Sequence, residues 1–231
     1  MAKLKTAVLI SGRGSNLQAL IDACAGKDFP AQIVLVLSNE TDAHGLVRAH
    51  EAGLAAKVID HRDFADRESF DAELTKALEA SGADLVCLAG FMRLLTAGFV
   101  EHWMDRLINI HPSLLPAFRG LNTHARALES GVRFSGCTVH FVRPEMDDGP
   151  IIVQAAVPVM MGDDEDALAA RVLEAEHRAY PLALRLIAEG RVRVVNQRVT
   201  IAGAASPQKP LLNPVAKSSI LSFEKGFFSR R

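Results

Sequence analysis

Thr6-Ala-Val-Leu-Ile10 runs directly into Ser11-Gly-Arg-Gly-Ser-Asn16, and beyond it Leu17, Leu20, Ile21 and Cys24 recur at i, i+3, i+4 and i+7. An unbroken apolar run, a glycine-bearing turn and an amphipathic stripe, in that order, read as a buried strand, a tight βα turn and a helix over Asn16 to Ala25 that stops near Gly26. The same grammar repeats through the first half of the chain. Further apolar runs at Gln32 to Leu37, Lys57 to Ile59, Leu85 to Ala89 and Leu107 to Ile110 alternate with helical patterns at Thr41 to Ala52 and Ser69 to Ser81. Alternation of this kind is the signature of βαβ units and a parallel sheet covered on both faces, whose ligands bind at the carboxyl ends of the strands.

After residue 130 the pattern changes. Cys137 to Val142 and Ile151 to Val157 are strand runs joined by the loop Arg143-Pro-Glu-Met-Asp-Asp-Gly-Pro150, and they read as an antiparallel extension of the sheet. From Asp164 a helical stripe of Leu168, Val172, Ala175, Ala179, Leu182 and Leu186 runs to about Glu189, with Pro181 expected to kink or restart it. Short strands near Arg191 to Val194 and Gln197 to Ile201 are expected to close the domain. Residues 205–231 hold three of the ten prolines and a net charge of +4 (five Lys/Arg, one Glu), which marks a peripheral tail.

Composition bounds the function class. The chain has 231 residues, 49% hydrophobic and 23% charged, which excludes disorder throughout. A formal charge of −1 supplies no global basic field for nucleic acid or an anionic membrane. Apolar runs never reach a membrane-spanning length, and Met1-Ala-Lys-Leu-Lys5 enters the first strand without the apolar core of a signal peptide, so a cytoplasmic location is expected. Cys24, Cys87 and Cys137 include no C-x-x-C pair and read as buried small hydrophobes. Without H-E-x-x-H or a cysteine site, metal chemistry is not expected, and organic acid/base work is.

Three stretches carry candidate chemistry. Ser11 to Asn16 lies where backbone N–H groups and a helix N-terminus face an approaching anion. The third position of a G-x-G-x-x-G fingerprint falls on Leu17, and the G-K-[ST] ending of a P-loop is lacking, so the pattern alone leaves a phosphate cradle and a plain βα turn both open. Asn109-Ile-His111-Pro112 ends a strand, and the period of two puts the amide and the imidazole on one face with Ile110 on the other. Asn can donate to an oxyanion and His can shuttle a proton near neutral pH. Asp147-Asp-Gly-Pro150 is either an exposed acidic turn or the source of a carboxylate that reaches His111 and favours its charged form.

Taken together, Ser11-Gly-Arg-Gly-Ser-Asn-Leu17, Leu88-Ala-Gly-Phe-Met-Arg-Leu94, Asn109-Ile-His-Pro-Ser-Leu-Leu-Pro116, Thr138-Val-His-Phe141 and Asp147-Asp-Gly-Pro-Ile151 resemble, in order and spacing, the phosphoribosylglycinamide formyltransferases, over about residues 5–195. The resemblance implies an α/β, Rossmann-like, open and mostly parallel sheet with helices on both faces. It also implies transfer of the formyl group of 10-formyltetrahydrofolate, as co-substrate, to the amine of glycinamide ribonucleotide in purine synthesis, without a metal. By resemblance, Asn109, His111 and Asp147 form the catalytic trio. Gly14, Ser15 and Asn16 would bind the substrate phosphate and Glu176 the ribose hydroxyls. Arg67, Met92, Arg93, Leu94, Leu95 and Arg143, with the loop to Asp147, would line the folate pocket. Asn122 and Arg119 depart from the family's commonest histidine and proline in the loop before His124.

Residues 1–204 are expected to form one domain, with a phosphate-binding half over about 1–100 and a folate and catalytic half over about 101–204. The expected partners are the two small substrates, with neither nucleic acid nor membrane, in a monomer or homodimer. Related folate enzymes keep the Asn-x-His and the later Asp. Methionyl-tRNA formyltransferase needs a further RNA-binding domain, and formyltetrahydrofolate hydrolase typically carries an N-terminal regulatory domain. The hydrolase and a catalytically idle phosphosugar- or folate-binding module remain the alternatives.

Overall fold

The computed structural model describes residues 2–215. Seven strands form one sheet in the order β3-β2-β1-β4-β5-β6-β7: β1 (Leu4–Ile10), β2 (Ala31–Ser38), β3 (Ala56–Val58), β4 (Leu85–Leu88), β5 (Leu107–His111), β6 (Phe134–Phe141) and β7 (Ile151–Pro158). The first five are mutually parallel, and β6 and β7 continue the sheet antiparallel, as expected from the sequence.

Central β1 shows why its apolar run is unbroken. Val8 and Ile10 pack into one core, while Ala7 and Leu9 pack into a second core across the sheet. The first core is covered by α1 (Ser15–Ala25), α2 (His44–Glu51), α5 (Thr123–Glu129) and α6 (Glu165–Ala188), and the second by α3 (Arg67–Ala80) and α4 (Ala97–His102). In β5, Ile110 enters the first core, which leaves Asn109 and His111 on the opposite face as their period of two requires.

Two expectations, on Pro181 and on Cys24, need correction. Pro181 does not restart α6, which runs through it for 24 residues. One ladder hydrogen bond is lost there, but Ala179, Tyr180, Ala183 and Leu184 on either side are buried, and the Tyr180 hydroxyl donates to the Leu88 carbonyl at 2.9 Å. The last two strands, β8 (Val192–Val195) and β9 (Arg198–Ile201), lie where the sequence placed them and form a separate two-stranded hairpin. Cys24 is only partly buried, unlike Cys87 and Cys137. Helices α4 and α5, with six and seven residues, lie where the sequence suggested none; they are too short to display a helical repeat.

Residues 205–215 are exposed apart from half-buried Asn213, whose side-chain amide donates to the carbonyls of Arg133 and Val159. The rest of the expected tail, 216–231, lies outside the described residues.

Candidate functional site

Strand order reverses between β1 and β4, and the loops after these two strands open a crevice at their carboxyl ends. Ser11 N–H donates to Gly90 O at 3.1 Å, and the Ser11 hydroxyl accepts from Met92 N–H at 2.7 Å while donating to Asn39 Oδ1 at 2.5 Å. Ser11 thus ties the two loops together and has no hydroxyl proton left for a ligand.

Gly14 caps α1 in the left-handed region (φ 69°), and no side chain caps the helix. The first helical N–H to find a helical acceptor is that of Gln18, on Gly14 O at 2.9 Å. Carbonyls that would repel an anion are turned away: Gly12 O accepts from Gly45 N–H at 3.0 Å, and Arg13 O from Arg48 Nε at 3.0 Å. With no acidic residue in its first turn, α1 offers the N-terminal N–H groups of Ser15, Asn16 and Leu17 and the positive end of its dipole to an anion. The cradle opens into a cleft of about 520 Å³, lined also by Met92, Ile110, Pro112, His124, Leu173 and Glu176.

Asn16 and Glu176 meet inside that cleft, 160 residues apart in sequence, with Asn16 Nδ2 donating to Glu176 Oε2 at 2.7 Å. Burial pushes the Glu176 carboxyl up to about 7, against the opposing effect of the Asn16 hydrogen bond. Asn16 Oδ1 is buried without a partner. A group bringing hydroxyl donors would therefore find acceptors on both side chains.

The sequence-derived trio converges. His111 Nδ1 lies 3.4 Å from Asp147 Oδ2, and His111 Nε2 lies 3.0 Å from Phe118 O. Both ring nitrogens face oxygen acceptors, so both contacts are hydrogen bonds only when the ring carries two protons. Asp147, at φ 52°, accepts from Gly120 N–H at 2.9 Å with the same oxygen. Asn109 Nδ2 lies 3.4 Å from His140 Nε2, and His140 Nε2 is 3.7 Å from Asp147 Oδ1.

His140 belongs to the Thr138-Val-His-Phe141 motif, but the sequence assigned it no role. Its signal is the antiparallel register, which pairs Asn109 with His140 and His111 with Thr138. Thr138 Oγ1 accepts from Leu115 N–H at 3.0 Å and donates to Ser113 O at 2.7 Å, holding the turn that leads to Phe118. His124 also faces the cleft; its Nδ1 is buried without a partner, and burial pushes its pKa down.

The expected folate residues divide. Met92 and Leu94 are 69% and 60% exposed beside the crevice, a costly placement for large apolar side chains unless a ligand covers them. Arg93 is half-buried, Leu95 packs against the second core and Arg67 is exposed at the start of α3. Exposed Leu121 and Met146 belong to the two loops that meet above His111. Those loops are joined by the Asp147 to Gly120 hydrogen bond and by an Arg119–Asp148 ion pair. The Arg143 side chain, in contrast, is buried and bonded to Asp105 and Gln197. Among the described residues, no group of three or more His, Cys, Asp or Glu is placed to hold a metal ion, and no helix is long and apolar enough to cross a membrane.

Comparison with known proteins gives four concordant matches. The formyl transferase family model matches residues 4–184. Phosphoribosylglycinamide formyltransferase of Escherichia coli (strain K12) is 48% identical over 200 residues, covering 87% of this chain and 94% of that protein. The trifunctional purine biosynthetic protein adenosine-3 of Gallus gallus is 52% identical over 192 residues, which cover 83% of this chain; the match spans only 19% of that longer protein. Among solved structures, glycinamide ribonucleotide transformylase 1 from Symbiobacterium toebii superposes with a TM-score of 0.84 at 50% identity, covering 86% of this chain and 94% of that one.

Proposed function

The chain belongs to the formyl transferase family, and from that premise we propose that it transfers the formyl group of 10-formyltetrahydrofolate to the amine of glycinamide ribonucleotide, a step of purine synthesis. The observation that carries this reading is a cleft that holds an anion cradle at Gly14 to Asn16 and a buried carboxyl at Glu176 and that reaches Ile110 and Pro112 at the end of β5, the chain neighbours of Asn109 and of the His111 that faces Asp147. A phosphorylated acceptor needs the first, its ribose the second, and acyl transfer the third.

In this reading the phosphate sits on the N–H groups of Gly14, Ser15 and Asn16, and Glu176 accepts from the ribose hydroxyls, which directs the amine toward β5. The pterin end of the folate covers Met92 and Leu94, between Arg93 and the 143–147 loop, with Leu95 and Arg67 farther along the folate. Attack of the amine on the formyl carbon puts negative charge on the formyl oxygen. The Asn109 amide and the His111 imidazolium are fixed donors for that charge. The 3.4 Å separation between His111 Nδ1 and Asp147 exceeds the 2.7–2.9 Å usual for a charged hydrogen bond, so of the two ring nitrogens Nδ1 makes the longer contact. Collapse of the tetrahedral adduct breaks the carbon–nitrogen bond to the folate, whose nitrogen takes a proton from His111, and Asp147 receives the proton released by the attacking ammonium through a bound water. The chemistry asks for neither a metal nor a covalent enzyme intermediate.

The test is spectroscopic release of tetrahydrofolate from 10-formyltetrahydrofolate, with and without glycinamide ribonucleotide. Release that needs the acceptor and disappears in His111→Ala supports the transferase. Release without the acceptor would replace it with a hydrolase, and no release under either condition would leave a binding module.

A further inference from the structure

Arg143 opens the loop that carries Asp147, yet its guanidinium points to structure outside the cleft. Nη2 donates to Asp105 Oδ1 at 2.6 Å, Nε to Gln197 Oε1 at 3.0 Å and Nη1 to the Val142 carbonyl at 3.0 Å, and the side chain is 8% exposed. Three segments distant in sequence meet on one planar fork: the turn between α4 and β5, the start of the 143–149 loop and the tip of the β8–β9 hairpin.

The hairpin tip carries a local contradiction. Val195 pairs with Arg198, so Asn196 and Gln197 form a two-residue turn, and both have positive φ, 51° and 57°. Such a turn favours asparagine or glycine, with glycine at the second position above all. Glutamine there costs backbone strain that nothing in the hairpin itself offsets, whereas its side-chain oxygen on Arg143 does. Asp105, the other partner, also stands at positive φ, 56°.

The far end of the loop is fixed by backbone. Phe141 N–H donates to Pro150 O at 2.9 Å, and a Cβ on Gly149 would lie 1.7 Å from the Phe141 carbonyl. Between these two anchors Asp147 is presented to Gly120 and His111.

We propose that Gln197 and Asp105 are positioning residues for formyl transfer: through Arg143 they fix the N-terminal end of the 143–149 loop and so the aim of Asp147, which makes the β8–β9 hairpin part of the catalytic apparatus. The inference deepens the transferase reading and rests on Asp147 serving that reaction. Gln197→Gly separates positioning from structure, because glycine suits the turn better while removing the hydrogen bond. The melting temperature should stay equal or rise. Amide hydrogen exchange over residues 145–148 should quicken by at least about tenfold, as expected for the loss of one charge-assisted hydrogen bond. The kcat for tetrahydrofolate release should fall several-fold, with KM for glycinamide ribonucleotide unchanged. Arg143→Lys, whose point charge cannot serve both partners, should loosen the same segment.

Unaltered loop exchange in Gln197→Gly would overturn the anchor, and faster exchange with unchanged kcat would overturn its role in catalysis. Exchange reads the anchor whether or not the wild-type protein transfers formyl groups, so failure of the transferase reading is distinguishable from failure of this one.

Discussion

Asn109 and His140 are direct cross-strand partners on β5 and β6, and Asn109 Nδ2 lies 3.4 Å from His140 Nε2. His140 Nδ1 donates to Phe141 O at 2.9 Å, which leaves Nε2 as an acceptor, and burial pushes the pKa of the ring below its ordinary value. A neutral imidazole in this position takes one amide proton of Asn109 and leaves the other for the reacting oxygen. His140→Leu keeps bulk but removes the acceptor, and it should lower kcat by about tenfold, the scale of one hydrogen bond. Asn109→Ala, which removes the donor itself, should cost about 100- to 1,000-fold. Steady-state kinetics of both variants checks the order; equal losses would mean that His140 does more than orient the amide.

Glu176 makes stability depend on pH in a direction opposite to most carboxylates. Its carboxyl is held up to about 7 in the folded protein, against an ordinary value of 4.5, so between those two values the folded state binds more protons than the unfolded one. Stability from this group is complete below about 4.5 and is lost as pH rises through about 7. Glu176→Gln should flatten that part of the profile, measured as denaturant midpoint against pH without ligand. A wild-type profile already flat there would refute the assignment. If Glu176 also holds the ribose, the same variant raises KM for glycinamide ribonucleotide.

The parallel half of the sheet was legible because β4 and the Ala7–Ile10 part of β1 are buried on both faces and so read as unbroken apolar runs, because β5 is apolar apart from the polar pair Asn109 and His111, and because α1 and α3 are long enough to show their stripe. Helices α4 and α5 had too few turns to register, and Pro181 misled because tertiary burial on both sides of it outweighs one missing hydrogen bond. In the site, Asn109 and His111 were legible from strand periodicity. His140 lies within the Thr138-Val-His-Phe141 motif, but its role comes from cross-strand register, and Phe118 enters through a backbone carbonyl, which no motif records. Arg143 was assigned to the folate-lining loop by resemblance, which gives no direction for its side chain; that direction depends on Asp105 and Gln197, 38 and 54 residues away.

Gly14 and Gly12 should respond differently to the same change. A Cβ on Gly14 would lie 2.6 Å from the Gly45 Cα, a backbone atom, and the residue stands at φ 69°; a Cβ on Gly12 meets nothing within 4 Å. Gly14→Ala should lower the melting temperature and raise KM for glycinamide ribonucleotide, with about 1 kcal/mol from the backbone conformation and more from the collision. Gly12→Ala should leave both close to wild type. Thermal unfolding and kinetics of the two variants give the comparison, and an equal effect would mean that the close approach of α1 to α2 does not shape the cradle.

Asp147 joins two loops as well as facing His111, and two substitutions separate these roles. Its Oδ2 accepts from Gly120 N–H, while Arg119 pairs with Asp148 beside it. This shared contact couples the 119–124 and 143–149 loops, so displacement of one disturbs the other. Asp147→Asn keeps an oxygen for Gly120 but removes the charge that faces His111; Asp147→Ala removes both. Each should reduce kcat by at least about 100-fold, as loss of a proton-transfer partner does. Only the alanine variant should also speed amide exchange over residues 119–124. If the asparagine variant loosened that loop equally, the carboxylate charge, not the hydrogen bond to Gly120, would be what holds the two loops together.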